Sequence, residues 1–162
     1  MPSTTLTLGR TIAVTFEPGD DFLTELSTVC QDYGIRQGYL PMFVAAFTTA
    51  SIVGTCKAVE IPAAPVWDQV QLEAVEAVGA GTLAWDPQQQ KIAPHLHLSV
   101  GEKRRSATGY TSHLLGATVD FLAELIIQEV TAPQLLREPD PSMYNVPLLR
   151  FTPGTRPGEP RA

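Results

Sequence analysis

Between Ile12 and Phe16 apolar and less apolar residues alternate, the period-two pattern of a strand with one buried face. The period changes in "GDDFLTELSTVCQDYG". Phe22, Leu26, Val29 and Tyr33 recur at helical spacing, Asp20 and Asp21 supply acid for the first turn, and Gly34 stands where a glycine C-cap belongs. β-type segments follow at Gly38–Ala50, Ser51–Val59, Gln69–Trp85 and Ala93–Val100. A proline-punctuated connection lies at Ile61–Asp68, and turns lie at Trp85–Lys91 and Gly101–Gly109. "VDFLAELIIQEV" (Val119–Val130) fits either a helix or a strand, and its Ile-Ile-x-x-Val end favours the strand. The stretch from Thr131 reads as irregular and closes on an edge strand at Leu148–Phe151. With no internal repeat and no βαβ alternation, these elements predict an α+β fold. Its largely antiparallel sheet is flanked by one or two helices, in a single domain over residues 1–151. Residues 152–162 are expected to be a flexible Pro/Gly-rich tail.

Composition changes this picture in two ways. The 162 residues suffice for one domain with a sizeable core, and 44% are hydrophobic while only 17% are charged. So lean a charged surface points to an oligomer, part of whose surface is covered by another subunit, with a sparsely charged monomer as the alternative. The net charge of −6 lacks the basic face that phosphate binding requires, and the one basic run is Lys103–Arg105. Nucleic-acid binding by this chain alone is therefore disfavoured. Cys30 and Cys56 sit in apolar contexts without C-x-x-C spacing and read as buried reduced thiols. Neither a signal peptide nor an apolar run long enough for a membrane span is visible, so the expectation is a cytoplasmic protein.

All three histidines fall between residues 95 and 113, two of them in "PHLHLSV". Strand residues two apart share a face about 7 Å apart along the backbone, so His95 and His97 converge while Leu96 and Leu98 point to the core. If Gly101–Gly109 reverses the chain, His113 returns on or beside a neighbouring strand. Three neutral imidazoles then meet, a set that suits zinc and also nickel, copper or iron. Three protein ligands with an open fourth position is the pattern of catalytic zinc sites. The alternative is that H-x-H places two polar residues on the exposed face of an amphipathic strand. Glu73, Glu76, Asp120 and Glu124 are candidates for a fourth ligand or a general base, and spacing selects none of them. The G-x-G in "VGAGTLAW" (Val78–Trp85) lacks the third glycine and following helix of a dinucleotide site, and its glycines fit a bulge or close strand packing. "EKRRS" reads as a solvated hairpin turn, with anion binding as the alternative.

The ordered set "FEPGDDFLTELSTVCQDYGIRQGYL", "GAGTLAWD", "PHLHLSV", "GYTSHLLGATV" and "AELII" resembles the plants and prokaryotes conserved (PPC) domain, of the prokaryotic single-domain type, over Arg10 to Phe151. The resemblance implies an α+β fold assembled as a homotrimer. It also implies a bound metal, zinc foremost, held by His95, His97 and His113. Plant relatives join this domain to AT-hooks and act in chromatin; this chain has no R-G-R-P core, and "TRPGEP" is not one. Where the family shows Gly-Gly-His, this chain has Thr111–Ser112–His113, which implies a narrower or differently shaped site.

Three functions remain. The first is a trimeric zinc-binding protein serving ligand sensing or regulation, with a small-molecule ligand admitted as a partner. The second is a metal-dependent hydrolase or lyase using that position, and the third is a DNA-associated regulatory protein. An enzyme should show a general base beside the ion and a DNA binder a basic face, so the first reading leads.

Overall fold

The computed structural model describes residues 2–54 and 68–151. Cys56, most of the proline-punctuated connection and the tail at 152–162 lie outside the described residues. The elements are β1 (Thr7–Phe16), α1 (Phe22–Asp32), β2 (Gly38–Val53), β3 (Gln69–Asp86), β4 (Lys91–Glu102), β5 (Gly109–Ala132), β6 (Leu136–Asp140) and β7 (Val146–Arg150). Strand β2 pairs with β3, β3 with β4, and β4 with the start of β5. Strand β5 then returns alongside β2 from Leu114 to Glu129, so these four strands close into an antiparallel barrel. Closure gives each of the four a neighbour on both sides, β4 meeting β5 over His97–Gly101. Strand β1 lies on the far half of β5, and the β6–β7 hairpin joins β3 through one parallel pair, Trp85 with Leu136.

The molecule is thus more β-rich than the α+β expectation: among the described residues one α-helix of 11 residues stands against seven strands. That helix begins as the sequence predicts. The Asp21 carboxylate accepts from the Thr24 N–H at 2.8 Å, satisfying one of the donors that a helix start leaves open. It ends at Gly34 (φ 65°), where the Gly34 N–H bonds the Gln31 carbonyl and the Ile35 N–H bonds that of Cys30. This is the Schellman arrangement, which a glycine enters without steric cost. The helix buries Phe22, Leu26 and Cys30. The Phe22 ring meets Phe16, Phe43 and Phe47 at centroid distances of 5.5, 5.0 and 5.5 Å, within the range of favourable aromatic pairs. Burial pushes the Cys30 thiol up to about 11, so it is an inert core thiol as expected.

The ambiguous segment Val119–Val130 is a strand. Val119, Ala123, Leu125 and Ile127 are buried at even spacing inside the 24-residue β5, and pairing to β1 and β2 on its two edges fixes that period. The segment expected to be irregular is corrected to the β6–β7 hairpin. In its turn Asp140 accepts from the Ser142 N–H and hydroxyl, and Tyr144 and Asn145 take left-handed φ of 57° and 60°. Its second strand is Val146–Arg150 rather than Leu148–Phe151. The segments expected at Gly38–Ala50 and Ser51–Val59 form one strand as far as Val53. No helix among the described residues is long and apolar enough to cross a membrane.

Candidate metal centre

Strand β4 carries the alternation that its sequence promises: Leu96, Leu98 and Val100 enter the core while His95, His97 and Ser99 face outward. The turn after it passes through a 3₁₀ segment at Lys103–Arg105, with Ser106 and Ala107 at φ of 52° and 61°. The chain reverses and sets His113 directly opposite His97 in the ladder. Ring centroids lie 5.2 Å apart for His95 and His97, 4.8 Å for His95 and His113, and 5.5 Å for His97 and His113. One nitrogen from each ring falls within 4.8 Å of the others. Tetrahedral zinc with N at 2.0–2.1 Å would draw such atoms to roughly 3.3 Å from one another.

The glycines of "VGAG" make room for this strand. A Cβ at Gly79 would collide with the Phe43 ring and the His97 carbonyl, and one at Gly81 with the His95 carbonyl. The close-packing expectation for these glycines therefore holds.

The chemistry of the donors suits a cation. Burial pushes the His95 imidazole down to about 4, helped by Arg137, His113 and His97. His113 is also lowered, by burial and then by His97 and Arg137. Both rings are neutral at pH 7, so a metal need displace no proton from them. Nδ1 of His113 is buried with no hydrogen-bond partner. Orphaned buried nitrogens are uncommon in native proteins, and an ion among the rings can use such a lone pair. The residues present therefore fit a borderline ion such as zinc.

The four carboxylates that sequence offered are not brought here. Glu76 and Asp120 pair with Lys103 at 3.0 and 3.1 Å, while Glu73 and Glu124 are exposed elsewhere on β3 and β5. Arg105 of the basic run likewise meets Glu102, at 3.0 Å. The cavity beside the histidines measures about 420 Å³ and includes Val53, Leu115, Val146, Pro147 and Arg137 in its wall. Neither Thr111 nor Ser112 lines it. Thr111 instead bonds the Ser99 hydroxyl at 2.8 Å, bracing β4 against β5 next to the His97–His113 pair. Arg137 is the residue that sequence reasoning missed. It lies between Leu136 and Glu138 with no motif around it, and only the fold of β6 over β3 brings it to the histidines.

The family model of the Plants and Prokaryotes Conserved (PCC) domain matches residues 3–131. The chain belongs to this family. No curated protein matches the PCC-domain chain in sequence. Among solved structures it is similar to a plant- and prokaryote-conserved protein of Pyrococcus horikoshii, with TM-score 0.76 and 21% identity over 93% of this chain and 97% of that one. A candidate DNA-binding protein of Ralstonia eutropha JMP134 superposes with TM-score 0.70 and 22% identity over 86% and 90%. The metal-containing protein of Archaeoglobus fulgidus does so with TM-score 0.71 and 18% identity over 91% and 98%. At these identities the likeness establishes the fold of the PCC-domain chain.

Proposed function

We propose that this chain is a zinc-binding protein of the cytoplasm, that His95, His97 and His113 hold the ion, and that it serves ligand sensing or regulation as a homotrimer. The observation that carries the reading is the convergence of one nitrogen from each of the three imidazoles to within 4.8 Å. The neutral state of His95 and His113 and the metal content of the Archaeoglobus neighbour support it. When bound, such an ion supplies Lewis acidity and an open coordination position. Self-association is supported by exposed apolar side chains on the barrel wall, among them Met42, Val44 and Phe121, the last 76% exposed.

A hydrolase or lyase would use the same open position. It would also need a general base beside it, and no carboxylate lines the cavity among the described residues. The DNA-associated reading draws on the Ralstonia neighbour's name, against a net charge of −6 and a short basic run in which Lys103 and Arg105 pair with carboxylates.

Elemental analysis tests the centre. The purified protein should carry, or take up, about one transition-metal ion per chain, and light scattering of the same sample reads the assembly. His97→Ala should lower metal content sharply and leave the far-UV circular dichroism unchanged, because His97 is exposed. A wild-type protein that refuses zinc, or a variant with undiminished metal, would refute the assignment.

A further inference from the structure

Arg137 is only 6% exposed, yet no carboxylate pairs with it among the described residues. Its Nη2 donates to Thr82 Oγ1 at 2.5 Å, and its Nε is buried without a partner. Thr82 is the ladder partner of His95, so this bond anchors the guanidinium beside the imidazoles. Arg137 shares the wall of their cavity. A buried, uncompensated guanidinium is costly. With a divalent ion on the three imidazoles, roughly three units of positive charge would share one half-buried site without a protein anion.

We infer that the cavity binds a small organic carboxylate, held between the open position of the metal and the Arg137 guanidinium. This inference rests on the three-histidine reading of the centre. The planar fork of an arginine suits two carboxylate oxygens better than a lysine ammonium would. The rest of the wall chooses the body of the ligand: Val53, Leu115, Val146 and Pro147 are apolar, so they favour a short hydrocarbon chain over an inorganic anion. The volume of about 420 Å³ falls within the range of small-molecule sites.

The test begins with zinc uptake measured by elemental analysis. The loaded protein is then titrated by calorimetry with isobutyrate, with its neutral isostere isobutyramide, and with inorganic phosphate. Isobutyrate should bind about tenfold or more tightly than isobutyramide, and more tightly than phosphate. Arg137→Gln should weaken isobutyrate by about tenfold or more, with zinc content unchanged. Because Arg137 is buried, the variant is checked for a cooperative urea transition, and the acid–amide comparison on the unaltered protein decides the matter if the variant does not fold. Failure of zinc uptake would overturn the three-histidine reading and this inference together. Zinc uptake with equal affinity for acid and amide, with no isobutyrate binding, or with full affinity in a folded Arg137→Gln variant, would overturn this inference alone. Tighter binding of phosphate would replace the carboxylate by a phosphate-type anion.

Discussion

The two sides of β4 face opposite kinds of interior. Inward, Leu96, Leu98 and Val100 join a core in which Phe22, Phe43 and Phe47 are wholly buried against one another. Outward, His95 and His97 meet His113 and Arg137 in a cavity where two buried nitrogens have no partner. The barrel interior is complete with the chain's own atoms. The outer cavity is not: it is shaped by protein, and His113 Nδ1 and Arg137 Nε find no partner in the chain. Stability should therefore be concentrated on the first side and ligand chemistry on the second, and substitutions can separate them.

The sharpest separation comes from Phe22→Ala. Phe22 is fully buried and touches three other aromatic rings, so truncation should cost about 3–5 kcal/mol in urea unfolding. The folded fraction should still bind metal with unchanged affinity. Weakened metal affinity in the folded variant would show that the two sides are coupled. Gly81→Ala should break the separation deliberately, because its Cβ would press on the His95 carbonyl and the Leu96 backbone from the neighbouring strand. It should cost about 1–3 kcal/mol and also weaken zinc binding, by displacing His95. A variant that loses stability but keeps zinc affinity would mean that the imidazole position tolerates movement of its own strand.

The outer side was partly legible in sequence, and the reason is local geometry. Residues two apart on a strand share a face whatever the rest of the fold does, so His95 and His97 could be paired from spacing alone. A turn of nine residues made His113 a reasonable third. Arg137 offered no such signal, because its place depends on a hairpin folding across β3 from far along the chain. The carboxylates misled for the same reason: Glu76 and Asp120 look unassigned in sequence, and only the fold hands both to Lys103. The ambiguity of Val119–Val130 was decided by sheet pairing, since its local pattern allows both periods. The helix count shows the opposite case. α1 was secure because its cap residues, Asp21 and Gly34, act within a few positions of the residues they serve.

The smallest effect expected is the response of the metal-free protein to acid, and it bears on the outer side alone. His95 has a folded value of about 4 against an ordinary 6.5. Between these values the unfolded chain takes up a proton that the folded chain does not, so stability is full above about pH 6.5 and declines as pH falls toward 4. His113 is shifted in the same direction and adds to the decline. Glu129, held down to about 2 by hydrogen bonds from Arg10, behaves as a carboxylate: its contribution is present above its ordinary 4.5 and is lost below it. The two windows overlap only near pH 4, so urea midpoints taken from pH 7 down to pH 4.5 read mainly the histidines. His95→Gln should flatten that slope without abolishing it, because His113 remains. An unchanged slope would place the acid sensitivity outside the cavity and remove the argument that its imidazoles are held neutral for a metal.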